Sequence, residues 1–95
     1  MILRFTRRAL ADLDAARMHV EQHDPRAALR LAGRLRAAIE GLRAFPAQGR
    51  PGRVAGTREL VVPRTPYVVA YRIDGECVDI LAILHGARRW PGELG

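Results

Sequence analysis

The sequence has no lysine, no serine and no asparagine, and its only cysteine is Cys77. Without serine there is no serine nucleophile, and without asparagine no side-chain amide of that type to read a base or hold an oxyanion. All 16 basic residues are therefore arginine, against 10 acidic ones, for a net charge of +6. A lone cysteine builds neither a disulfide framework nor a thiolate metal site, which fits a reducing compartment. No stretch approaches the roughly 18 apolar residues of a membrane span, and the apolar run at the N-terminus is too short for a signal peptide. These absences predict a soluble cytoplasmic protein with no membrane partner and no cofactor.

What is present suits one compact fold. At 95 residues, 48% of them hydrophobic, the chain has material for one core, so residues 1–95 are expected to form a single domain. Residues 2–5 are β-prone and lead to Thr6, an acceptable N-cap. Beyond it Ala9, Leu13, Ala16 and Val20 recur at helical spacing, predicting an amphipathic helix that ends near His23. Asp24-Pro25 restarts the chain, aspartate as the cap and proline at the first helical position, where its missing N–H costs nothing. Ala28, Leu31, Leu35, Ala38, Leu42 and Phe45 draw the stripe of a second helix, stopped by Pro46. Residues 46–56, rich in proline and glycine, read as loop. Three strands follow at 58–62, 67–73 and 77–84, with Asp74-Gly75 at the tightest turn. The predicted class is α+β, in the order β-α-α-β-β-β, with a helical hairpin packed on a small antiparallel sheet.

Few residues carry chemistry. His19 and His23 stand four apart on the first helix, a spacing that permits metal binding, but no third ligand accompanies them and no metal site is expected. Cys77 has no neighbour that would activate its thiol and reads as packing. His85 ends an apolar strand and is followed by Arg88, Arg89 and Trp90. A base beside guanidinium groups would suit phosphodiester cleavage, although a histidine closing a strand is the commoner finding. Arginines recur through the sheet half at Arg50, Arg53, Arg58, Arg64 and Arg72. Interleaved with Tyr67, Tyr71 and Trp90, they could hold single-stranded nucleic acid, whereas the alternation of Tyr67, Val69, Tyr71 and Ile73 favours a core face.

Gly56-Thr57-Arg58-Glu59-Leu60, Tyr67-Val68-Val69-Ala70-Tyr71-Arg72 and Ile80-Leu81-Ala82-Ile83-Leu84-His85-Gly86-Ala87-Arg88, in that order, resemble the sheet half of the RelE/ParE toxins. Thr6 to Asp14 resembles the family's first helix, and Phe45-Pro46 with Gly49-Arg50-Pro51-Gly52 resembles the family's loop after the second helix. The resemblance implies the toxin of a type II toxin-antitoxin system, as known from plasmid stabilisation, neutralised by a cognate antitoxin with a disordered acidic tail. It also implies one of two activities. The RelE-like branch cleaves messenger RNA on the ribosome with sheet lysines and arginines and a late tyrosine or histidine; here Arg58, His85 and Arg88 would carry that role. The ParE-like branch poisons DNA gyrase. Val68 stands where the nuclease branch has an arginine, and no lysine exists to replace the missing cations. Together with the Arg-Trp-Pro ending, this favours a gyrase-binding inhibitor, with the target and antitoxin surface expected at Arg50, Arg53, Arg58, Arg64, Arg72, Arg88, Arg89 and Trp90. The alternatives are a ribosome-dependent endoribonuclease and an inert member that only binds its antitoxin.

Overall fold

A computed structural model describes residues 1–86 of the chain. Strand β1 (Ile2–Phe5) leads into helix α1 (Arg7–Glu21), then α2 (Pro25–Gly41), and the chain closes through β2 (Arg50–Pro51), β3 (Arg58–Val61), β4 (Tyr67–Asp74) and β5 (Cys77–His85). The five strands form one sheet in the order β1-β5-β4-β3-β2.

Both helix starts follow their capping chemistry. The Thr6 hydroxyl accepts from the Ala9 amide at 3.0 Å, and Asp24 accepts from the amides of Arg26 and Ala27 at 3.1 and 3.2 Å, satisfying donors that a helix leaves unpaired in its first turn. Ala9 and Ala16 of α1 are buried with Leu31, Leu35, Ile39 and Leu42, and Leu13 and Val20 pack against them. The predicted second stripe needs two corrections. The helix ends at Gly41, and Pro46 instead opens a short 3-10 turn over Pro46–Gln48. Phe45, beyond the helix, is 70% exposed, and Ile39, which the predicted stripe omitted, is buried in the core while Ala38 packs against it.

The meander β3-β4-β5 is antiparallel, as is β2 on β3. Strand β1 instead runs parallel to β5, with Ile2 opposite Cys77 and Phe5 opposite Ile80; the two helices provide the long connection that a parallel neighbour needs. Arg50 and Pro51, expected in a loop, pair with Glu59 and Arg58. An edge position tolerates the proline because its missing N–H faces away from the ladder. The β4–β5 turn is Gly75-Glu76, one residue later than the Asp74-Gly75 reading, since Asp74 still pairs with Cys77. Gly75 has φ 58°, which the first central residue of a type II′ turn requires.

The register of β4 on β5 slips at Ala70/Tyr71: Ala70 faces Ala82 while Tyr71 faces Ile80. Leu81 is thus the extra residue of a bulge. The bulge turns Ile80 and Ile83 both toward the helices, where they join the main core, and leaves Leu81, Ala82 and Leu84 with Ala70 in a second cluster. A bulge frees backbone groups from the ladder, and α1 and its N-cap residue bond to two of the backbone groups beside the bulge. The Thr6 hydroxyl donates to the Leu81 carbonyl at 2.9 Å, and the Asp12 carboxylate accepts from the Ile83 amide at 3.0 Å. Among the described residues no helix is long and apolar enough to cross a membrane.

Candidate functional site

The sheet face turned away from the helices gathers charge at both ends. At one end Asp79, its side chain 9% exposed, lies between Arg4 at 2.6 Å and Arg72 at 3.3 Å, and Arg4 also reaches Asp74 at 3.3 Å. The Arg4 hydrogen bond, with the charge of Arg4 and Arg72 behind it, holds the Asp79 carboxyl below its ordinary range against the opposing effect of burial. The same contact raises Arg4 above the usual guanidinium range. Parallel β1 is thereby tied across β5 to β4. At the other end Arg50 pairs with Glu59 at 2.9 Å, and both border a small hollow with Arg53, Val68, Leu84 and His85.

The predicted arginines therefore do not converge on one point. Arg58 is occupied elsewhere, donating to the carbonyls of Gly49 and Ala47 at 2.8 and 3.3 Å. It stands opposite Tyr71, whereas His85 stands opposite Tyr67. Four residues of strand separate those two positions, roughly 13 Å at ordinary strand rise. Arg64 lies in the β3–β4 turn with φ 64°; it borders a separate cleft that His85 also lines. Arg88, Arg89 and Trp90 lie outside the described residues.

The aromatic residues divide the same way. Tyr71 is fully buried; its hydroxyl donates to the Pro46 carbonyl at 2.6 Å and accepts from the Gly49 amide at 2.9 Å, and burial raises its pKa. It pins the 46–49 loop and offers no face to a base. Gly49 is required there, because a Cβ would come within 2.6 Å of the Tyr71 hydroxyl and 2.8 Å of the Glu59 carbonyl oxygen. Tyr67 is half-buried and meets the His85 ring edge to face, with centroids 5.8 Å apart. His19 and His23 pack edge to face at 5.9 Å, and among the described residues no third histidine, cysteine or carboxylate joins them as a metal site.

Three features escaped the sequence reading. Asp79 carried a usable signal, since a carboxylate inside an apolar strand needs a cationic partner. Arg4 followed from that need but could not be assigned without the parallel pairing. Asp12 carried no signal, because a bulge is invisible until the register is known.

The helices also leave apolar surface open. Phe5, Leu13, Leu31, Leu35 and Ile39 border a groove of about 240 Å³ between α1 and α2, and Leu10, Met18 and Leu29 are 53%, 54% and 75% exposed on the same helices.

Comparison with known proteins adds the relationship. The profile of the family described as "ParE toxin of type II toxin-antitoxin system, parDE" matches residues 3–90. Toxin RelE2 of Caulobacter vibrioides is 45% identical over 84 residues, covering 88% of this chain and 93% of its own. Among solved structures, a chromosomal ParDE system from P. aeruginosa superposes with a TM-score of 0.83 at 34% identity, over 90% of this chain and 95% of that one. A RelBE2 toxin-antitoxin complex from Mycobacterium tuberculosis gives 0.57 at 30% identity, over 88% and 95%.

Proposed function

The chain belongs to the ParE toxin family of type II toxin-antitoxin systems, within the RelE/ParE superfamily, and from that premise we propose that it stops growth by binding DNA gyrase, without hydrolytic chemistry. One observation carries the choice of mechanism. The two described members of the nuclease set, Arg58 and His85, stand on different rungs of the sheet, and Arg58 is already committed to loop carbonyls. Stabilising a transferring phosphate needs several cations aimed at one point. Val68, at the position of a nuclease-branch arginine, is 7% exposed and apolar.

The same premise gives the chain a cognate antitoxin, acting in the cytoplasm. We place the antitoxin's apolar contacts on the α1–α2 groove bordered by Phe5, Leu13 and Leu31, and its acidic tail along the arginine-rich surface. A segment that folds on binding must bury apolar area and pair charge to offset its ordering entropy.

His85→Ala separates the readings more cleanly than Arg58→Ala, which would also release the 46–49 loop. A binding inhibitor carrying His85→Ala keeps its growth arrest on induction. Loss of the arrest by a variant with an unchanged circular dichroism spectrum and melting temperature would favour the endoribonuclease.

A further inference from the structure

A cleft of about 320 Å³ opens between the helical hairpin and the β3–β4 turn. Its floor is apolar, from Val20 and Leu31, and one wall is Tyr67. The polar groups around it are His19 from α1, Arg34 from α2, Arg64 from the turn and His85 from the end of β5, with no carboxylate lining it among the described residues. We propose that this cleft is an anion site that takes a phosphate group, free or carried by a nucleotide, on Arg34, Arg64, His19 and His85.

The distribution of charge supports a counter-ion from outside. Arg4, Arg17, Arg43, Arg50 and Arg72 each have a carboxylate partner. Arg34 and Arg64 have none among the described residues; the polar partner of Arg34 is the Arg64 carbonyl oxygen at 3.5 Å. Two arginines that line one concave, partly apolar cleft raise its local positive potential. The backbone points the same way. Arg64 has φ 64°, a left-handed conformation that glycine or asparagine adopts far more readily. Such an arginine is an outlier of the kind that clusters at ligand sites.

The ligand class follows from the donors. The donor-bearing side chains that line the cleft come from four segments, α1, α2, the β3–β4 turn and the end of β5. A planar carboxylate is satisfied by one guanidinium fork, whereas the several oxygens of a phosphate can take donors from different sides. The apolar floor and the Tyr67 wall suit a ring attached to that phosphate, and the volume lies at the lower end of small-ligand cavities. An extended acidic peptide would need a longer track.

The test is an NMR titration of the whole chain with inorganic phosphate and, separately, with AMP, following the side-chain signals of arginine and histidine. Saturable shifts concentrated at His19, Arg34, Arg64 and His85 are expected. Tighter binding of AMP identifies a nucleotide as the source, and equal binding identifies free phosphate; both uphold the site. The double variant Arg34→Gln, Arg64→Gln should weaken binding at least roughly ten-fold, while Arg36→Gln, Arg53→Gln, with the same loss of charge, should not. If the first double variant fails to fold, Arg64→Gly, which relieves the left-handed backbone, serves in its place. Unsaturable shifts spread over all the arginines, undiminished binding by Arg64→Gly, or occupation of these residues by an acidic peptide while phosphate leaves them unmoved would each overturn the proposal.

Discussion

Tyr71 and Gly49 form a lock between the sheet and the loop ahead of it. Replacing Tyr71 with Phe keeps the ring in the core but strands the Gly49 amide, buried without an acceptor. The expected cost is about 1–3 kcal/mol, read from the urea midpoint; a loss below half of that range's lower bound would mean water replaces the hydroxyl. Asp79 acts through charge. Its folded carboxyl titrates below its unfolded range, so its contribution is fully present above the ordinary carboxylate range and is lost as pH falls toward the folded value. Asp79→Asn should therefore be less stable than the parent at pH 7, and the two should converge in acid. A difference that stays constant between pH 7 and pH 2 would show a role in packing instead. The alternation around Tyr71 made its burial legible in the sequence. Its loop partners were not, because they depend on which residue of a proline- and glycine-rich segment returns to the sheet.

Helices are where local rules dominate, and both helix starts were readable because a cap, a proline and a 3.6-residue stripe agree. The end of α2 was misread for the same reason: Leu42 and Phe45 continue the spacing after the backbone has left the helix at Gly41. Leu35, 3% exposed, tests the stripe. Leu35→Ala should cost about 2–5 kcal/mol through an unfilled core cavity, and a loss under half a kilocalorie would place that side chain outside the core. The bulge at Leu81 tests the link between elements. Asp12→Ala removes the acceptor of the Ile83 amide and should cost about 1–3 kcal/mol, with faster hydrogen exchange at Ile83 ahead of any global loss. Exchange that rises uniformly across the sheet would show that Asp12 matters only to the helix. The alternating pattern of β5 concealed this device, since Ile80 and Ile83 share a face only after one residue is looped out.

Over the whole molecule, the order of elements and the antiparallel meander were legible from hydrophobic period and turn chemistry. The parallel placement of β1 was not, because a four-residue strand has no signal that selects its neighbour. The family followed from segments whose order along the chain is more specific than any one of them. The expected basic site dissolved into separate groups because Arg50 and Arg72 are matched to nearby carboxylates and Arg58 to loop carbonyls, pairings that composition alone conceals. On the proposed function this surface binds a protein target and leaves RNA uncut. The most direct measurement is the ATP-dependent supercoiling of relaxed plasmid by purified gyrase in the presence of the purified chain. Inhibition should rise with the amount of chain and be reversed by adding its antitoxin. Undisturbed supercoiling by a folded chain that still stops growth when induced would contradict the proposed function.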